Sequence, residues 1–262
     1  MKIIIDPGHY GYDSGAVGPA GTYERDVTMA VSQRIAAILQ KAGQEVKLTR
    51  IPGNKGYINN LSEDLSTRVL TANLWPADLF VSIHCNAFKD PSAHGIEVYT
   101  TPGQGPSDQL AETVLEELAA AFPELSLRVD TSDGDKDKEA NFYVIRKTDM
   151  RAILIEIAFI SNPGEEQLLA SADGQESFAQ AISNGILRYA NPENINTGGD
   201  TVLDKTGDKP SDWAKEHTEW AKSKQIINGD GQGNYNWQGN VTREAMAAML
   251  HNFAIAYGLE KE

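Results

Sequence analysis

The 262-residue chain contains a single cysteine, Cys85, which excludes an intramolecular disulfide and a cysteine-based zinc cluster. It is short of positive charge: 23 Lys and Arg against 37 Asp and Glu give a formal net charge of −14. That balance argues against nucleic acid as a partner, because phosphate backbones reward basic faces. A polyanionic partner of any other kind has to be recognised by specific contacts rather than by a general field. No apolar run approaches the roughly 20 residues of a membrane-spanning helix, so no membrane insertion is expected. HExxH, GxSxG and Walker-type loops are missing, which removes the mechanisms that those motifs support. The N-terminus has one lysine, three isoleucines and then a turn, far short of the apolar core of a secretion signal. The expectation is synthesis in the cytoplasm without a signal peptide, with any action outside the cell depending on release by something else.

What is present alternates between strand and helix. Strand-like runs are KIII (2–5), EVKLT (45–49), LFVSI (79–83), IEVYT (96–100), FYVI (142–145) and AILIEI (152–157). Between them, Val27, Val31, Ile35, Ile38 and Leu39 form one helical stripe that ends at Gly43, a good residue just past a helix end. LSEDLSTRVLTANLW, with Ser62 as its cap, and the stretches SDQLAETVLEELAAAF and GQESFAQAISNGILRYA read as further helices. Continuous apolar strands separated by helices predict an α/β fold, with helices on both faces of a twisted, mostly parallel sheet. Ligands of such sheets gather beyond the carboxyl ends of the strands. The pattern covers 1–190. A polar stretch rich in Gly, Asn, Asp and Thr (191–210) reads as a linker, and 211–262 as a small helical domain containing Trp213, Trp220 and Trp237.

Two of the five histidines, His9 in IIIDPGH and His84 in LFVSIH, directly follow strand-like runs, so both can reach one rim of the sheet. Glu24 starts the first long helix, which begins at that rim, where the helix dipole favours a carboxylate. Two imidazoles and one carboxylate are the open three-ligand set of catalytic zinc sites. A lone histidine at a strand end is more often incidental, and a glutamate at a helix start alone means little, so this reading rests on the three coming together. Glu156 lies inside the apolar run AILIEIAF, a costly place for a carboxylate. It reads either as half of a structural salt bridge or as a base whose pKa is raised by apolar surroundings. Cys85 neighbours His84 and so faces the opposite side, which makes it a small buried residue. His94 reads as a loop residue, and His217 and His251 fall in the small domain. The acidic run DTSDGDKDKE (130–139) lacks the glycine and terminal glutamate of an EF-hand spacing and reads as a solvated loop.

DPGHYGYDSGAVG, Glu24 in YERDV, TR at 49–50, LSTRVLTAN, ADLFVSIHCNA, GIEVY, NFYVIRKT and ILIEIAFISN follow one another in order. Together they resemble the zinc-dependent N-acetylmuramoyl-L-alanine amidases of bacterial cell-wall metabolism, over Met1 to about Tyr189. The resemblance implies that His9, Glu24 and His84 are zinc ligands and Glu156 the catalytic glutamate. It implies that peptidoglycan is the substrate and that the bond between N-acetylmuramic acid and L-alanine is hydrolysed. Asp6, Asp13 and Asn86 are candidates for orienting the histidines. Arg151 and Ala158 stand where the family often has proline and glycine. The end of the chain, with Trp213-Ala214, Trp220-Ala221, GDG at 229–231 and VTRE at 241–244, resembles an S-layer homology motif. That implies binding to a cell-wall polysaccharide. The absent signal peptide makes a phage or prophage endolysin the expected setting, with a host autolysin of sporulation as the alternative. A zinc peptidase acting on the stem peptide is a further alternative.

Overall fold

The computed structural model describes residues 1–9, 11–51, 60–191 and 215–224. Its centre is a six-stranded sheet in the order β2 (Glu45–Leu48), β1 (Lys2–Pro7), β3 (Leu79–Asn86), β6 (Arg151–Phe159), β4 (Glu97–Thr100) and β5 (Lys138–Glu139). The first four strands are mutually parallel, β4 runs antiparallel to β6, and β5 is parallel to β4. This is the α/β architecture expected from the alternation, with two strands, β4 and β5, reversed.

The isoleucine run shows how the sequence builds the two layers. Ile3, Ile4 and Ile5 are all fully buried, and successive strand residues point to opposite faces. Ile3 and Ile5 join a core with α1 (Glu24–Lys41), α3 (Pro106–Ala121) and α6 (Ala172–Ala190), through Val31, Ile35, Leu115 and Phe178 among others. Ile4 joins a smaller core with Phe80, Leu154 and residues of α2 (Leu61–Leu74) and α4 (Tyr143–Lys147). A strand covered on both sides has no polar face, which is why the run is unbroken. Each buried isoleucine contributes roughly 1.5–3 kcal/mol. A further helix, α5 (Pro163–Ala170), follows β6.

Some local expectations shift. Gly43 does follow the end of α1, with φ of 83°. The cap of α2 is Asn60 rather than Ser62: its side chain accepts from the Ser62 N–H at 2.8 Å. FYVI is not a strand but the start of α4, because Val144 and Ile145 are both buried while Phe142 and Tyr143 are exposed. Adjacent residues sharing one face fit a helical turn and not a pleated strand. β3 runs past Ile83, so His84 is a strand residue, followed by a register irregularity before Asn86.

The chain forms two compact units, Met1–Asn196 and Thr197–Glu262. Within the second, the described element is α7 (Lys215–Ser223). The rest of the small helical domain expected at 211–262, with Trp213, Trp237 and His251, lies outside the described residues, as does the side chain of His217. Among the described residues no helix is long and apolar enough to cross a membrane.

Candidate metal centre and active site

A single row across the sheet carries the chemistry. His84 of β3 pairs in register with Glu156 of β6, which pairs with Glu97 of β4. On the other side of His84, β1 has just ended and the Gly8 N–H donates to the Ile83 carbonyl at 2.8 Å. Gly8 is required there: a Cβ on it would lie 2.4 Å from His84 Cε1. The missing side chain leaves the room that the imidazole fills.

The chain then turns sharply to present His9, the one non-glycine residue with positive φ (57°) among those described. Such backbone costs on the order of 1 kcal/mol or more and persists when its surroundings hold it. Several groups hold it. The Gly8 carbonyl accepts from Thr28 Oγ1 at 2.7 Å and from Arg50 at 2.8 Å, and Arg50 also donates to the Pro7 carbonyl at 3.0 Å. His9 Nδ1 lies 2.9 Å from Asp13 Oδ2, which fixes the ring so that Nε2 faces Glu24 at 3.1 Å.

Glu24 stands at the first position of α1 and is almost fully buried, with 3% exposure. Its Oε1 lies 3.1 Å from His9 Nε2 and 3.1 Å from His84 Nδ1, and it accepts from the Cys85 N–H at 2.9 Å. Its Oε2 accepts from the Ala16 N–H at 2.9 Å. One ligand atom from each of His9, Glu24 and His84 can be chosen so that all lie within 4.8 Å of one another. The structure therefore brings together the three residues expected to meet. Gly15, with φ of 64°, passes so close that a Cβ would sit 2.5 Å from Glu24 Oε2 and 2.6 Å from His9 Cδ2.

Electrostatics tie the group together. Burial alone would lower the His9 pKa, but its contacts with Glu24 and Asp13 outweigh that and raise it to about 9. Burial alone would raise the Glu24 pKa, but hydrogen bonds and charge from His84 and His9 hold it well below the usual carboxylate range. Two imidazoles and a carboxylate converging with little solvent form the nitrogen and oxygen donor set that suits zinc, and three protein ligands leave a position open.

Glu156 has the opposite character. Its Oε2 is sealed from solvent and has no hydrogen-bond partner. Burial, reinforced by the charges of Glu24 and Glu97, pushes its pKa up to about 8. Among the described residues no salt bridge neutralises it, so the structural ion pair, one of its two sequence readings, is not formed there. Beside it, Glu97 is held by Arg128, by Lys138 Nζ at 3.1 Å, by Tyr99 Oη at 2.5 Å and by Asn86 Nδ2 at 2.9 Å. Burial opposes ionisation of Glu97, but these donors prevail and lower its pKa. A groove of about 400 Å³ opens here, bordered by Asn86, Phe88, Tyr99, Arg128 and Lys138.

Asp13 touches a histidine as expected; Asp6 and Asn86 do not. Asp6 is fully buried and accepts from Ser82 Oγ at 2.7 Å and Thr49 Oγ1 at 2.5 Å, with Arg68 3.7 Å away, so it braces the strands. Asn86 serves Glu97. Cys85 lies in the main core, and burial together with the charges of Glu24 and Glu156 pushes its thiol pKa up, which disfavours the thiolate a ligand or nucleophile needs. His94 is an exposed loop residue, with Nδ1 2.8 Å from the Ser92 carbonyl. Sequence reasoning missed Glu97 and its cations: the two-residue spacing of Glu97 and Tyr99 puts both on one face of their strand, but only the sheet register sets that face beside Glu156. It also missed Glu165 of α5, whose carboxylate accepts from Gly95 N–H at 2.8 Å and Phe159 N–H at 2.6 Å.

Comparison with known proteins points to one family for the first unit. The sequence profile of the N-acetylmuramoyl-L-alanine amidase family matches residues 3–188, and that of the S-layer homology domain matches 207–247. The chain is 33% identical to the germination-specific N-acetylmuramoyl-L-alanine amidase of Bacillus subtilis, over 71% of this chain and 78% of that protein. It is 32% identical to the amidase AmiC of Neisseria meningitidis, over 75% of this chain but 54% of that protein, so the chain spans about half of that relative's length. Its fold matches the solved amidase AmiC2 of Nostoc punctiforme with a TM-score of 0.63 and 34% identity, over 72% of this chain and 97% of that one.

Proposed function

From the premise that this chain belongs to the N-acetylmuramoyl-L-alanine amidase family, we propose that it hydrolyses the amide bond between N-acetylmuramic acid and L-alanine in peptidoglycan, with zinc held by His9, Glu24 and His84. The observation that carries this reading is the unpartnered Glu156 carboxylate, in register with His84. A zinc ion bound to these residues supplies Lewis-acid polarisation of a carbonyl and lowers the pKa of water to roughly 7.

The remaining work falls to the chain's own groups. Glu156, with a pKa raised to about 8 by burial and its carboxylate neighbours, is poised near neutral pH both to take and to give a proton. It takes the proton of the attacking water as the oxygen bonds to the lactyl carbonyl carbon. It then hands that proton to the amide nitrogen as the C–N bond breaks. The products are a muramic acid carboxylate and a peptide with a free L-alanine amino group. Asp13 keeps Nε2 of His9 directed inwards, and the clamp on Glu97 keeps that carboxylate ionised beside Glu156. The groove past Tyr99 offers mixed apolar and charged walls suited to a glycopeptide.

The S-layer homology domain supports a role in holding the enzyme on a wall polysaccharide. The bacterial relatives, one of them germination-specific by name, favour remodelling of the host's own wall over phage lysis. Incubation of the full chain with purified sacculi tests the reading. New amino groups should appear, stop when the enzyme is treated with a chelator, and return when zinc is added. Release that persists undiminished after complete metal removal would contradict it.

A further inference from the structure

A second carboxylate cluster lies at the opposite end of the sheet. Because β4 is antiparallel to β6, Glu97 sits beside Glu156 while Thr100, at the other end of β4, lies towards the start of β6. Around Thr100, Asp108 from the first turn of α3 meets Asp135 and Asp137 from the loop before β5, with carboxylate oxygens within 4.8 Å of one another. This is the run read from sequence as a solvated loop. Most of that run is exposed, from Asp130 to Gly134 without a break, but Asp137 is only 2% exposed, and Asp108 of α3 only 8%.

The hydrogen-bond donors that reach the three are neutral. Asp108 Oδ2 accepts from the Gly105 N–H at 2.6 Å, Asp137 Oδ2 from Thr100 Oγ1 at 2.6 Å, and Asp135 Oδ2 from Gln104 Nε2 at 2.6 Å. Asp135 Oδ1 and Asp137 Oδ1 remain sealed from solvent without any partner. The lysines that alternate with these aspartates pair elsewhere: Lys136 Nζ is 3.9 Å from Glu116 and Lys138 Nζ 3.1 Å from Glu97. The loop thus brings Asp135 and Asp137 to Asp108, while Asp130 and Asp133 stay exposed and both lysines pair away from the cluster. Buried carboxylates this close call for a countercharge, since a lone buried charge is far costlier than a paired one.

We infer that Asp108, Asp135 and Asp137 form a binding site for a divalent cation, with calcium as its occupant. The donors are oxygen only, which excludes the nitrogen and sulfur preference of zinc. Calcium accepts six to eight oxygens in irregular geometry and can complete its shell with water, whereas magnesium demands a near-ideal octahedron. Carboxylates gathered from a helix start and a loop suit the first ion better. The bound ion ties the 130–137 loop to α3 and to the end of β4. It thereby steadies β5, whose Lys138 reaches Glu97 beside the active site. A proton is the competing occupant: without a cation, burial and the neighbouring aspartates push Asp137 up to about 7.

The test uses the full chain saturated with zinc and titrated with calcium chloride by calorimetry and thermal unfolding. One calcium per chain should bind, with a dissociation constant on the order of 10⁻⁴ to 10⁻³ M. The melting temperature should rise with calcium concentration by mass action, and rise less with magnesium. Asp137→Asn and, separately, Asp135→Asn should each abolish calcium binding while zinc content stays the same. Should Asp137→Asn fail to fold, the more accessible Asp135→Asn decides. An absence of calcium heat and stabilisation in the wild type means that a proton suffices and overturns the inference. So does an unchanged calcium response in Asp135→Asn.

Discussion

Replacing Glu156 by Gln keeps the side chain's shape and removes its ionisation, so its effects on stability and on activity should have opposite signs. In the folded protein burial, then Glu24 and Glu97, raise this carboxyl from 4.5 to about 8. Between those values the folded protein keeps a proton that the unfolded chain has lost. Stability must therefore fall as pH rises through that window. At about 1.4 kcal/mol per pH unit, the full separation sets a ceiling of roughly 5 kcal/mol above pH 8. Glutamine carries no such dependence. Chelator-treated Glu156→Gln should be more stable than equally treated wild type at about pH 8.5, and the two should converge near pH 4.5. Urea unfolding at a series of pH values reads this directly. With zinc restored, the same variant should bind the metal as well as wild type yet lose roughly 10²–10⁴-fold in amide hydrolysis. Parallel pH profiles of stability for the two proteins would refute the burial argument, and full activity would refute the assigned role.

Other perturbations reach the supports of the site. Gly15→Ala puts a Cβ at left-handed φ and 2.5 Å from Glu24 Oε2, so chelator competition should show zinc affinity reduced by at least about tenfold, in the range seen when groups that orient metal ligands are disturbed. Unchanged affinity would mean that the loop does not constrain the ligands. Glu165→Ala strands the buried N–H groups of Gly95 and Phe159, at about 1–3 kcal/mol each, and chemical denaturation should register that loss. A chain ending at Ala190 should release amino groups from fragmented peptidoglycan but sediment with intact walls less than the full chain does. Equal sedimentation would remove the wall-holding role of the S-layer homology domain.

Much of this was legible in the residues because burial on both faces leaves a plain mark. The three isoleucines, the stripe from Val27 to Leu39 and the break at Gly43 each had one physical reading, and the structure follows them. His9, Glu24 and His84 could be grouped because each sits where a strand ends or a helix begins. FYVI misled because a four-residue apolar run carries no period, and only the shared burial of Val144 and Ile145 reveals the turn. Glu97, Arg128 and Lys138 were invisible as a set because they come from three separate segments that meet through the antiparallel placement of β4. The aspartates at 135 and 137 looked solvated because charge runs usually are. Their inward turn depends on Thr100 and Asp108, whose proximity no local pattern records.

The central claim concerns which bond is cut, and mass spectrometry of the fragments released from purified sacculi tests it most directly. The account predicts peptides that begin with a free L-alanine amino group, together with glycan strands of undiminished length whose muramic acids carry free lactyl carboxylates. Fragments cleaved within the stem peptide, or new reducing sugar ends, would contradict it.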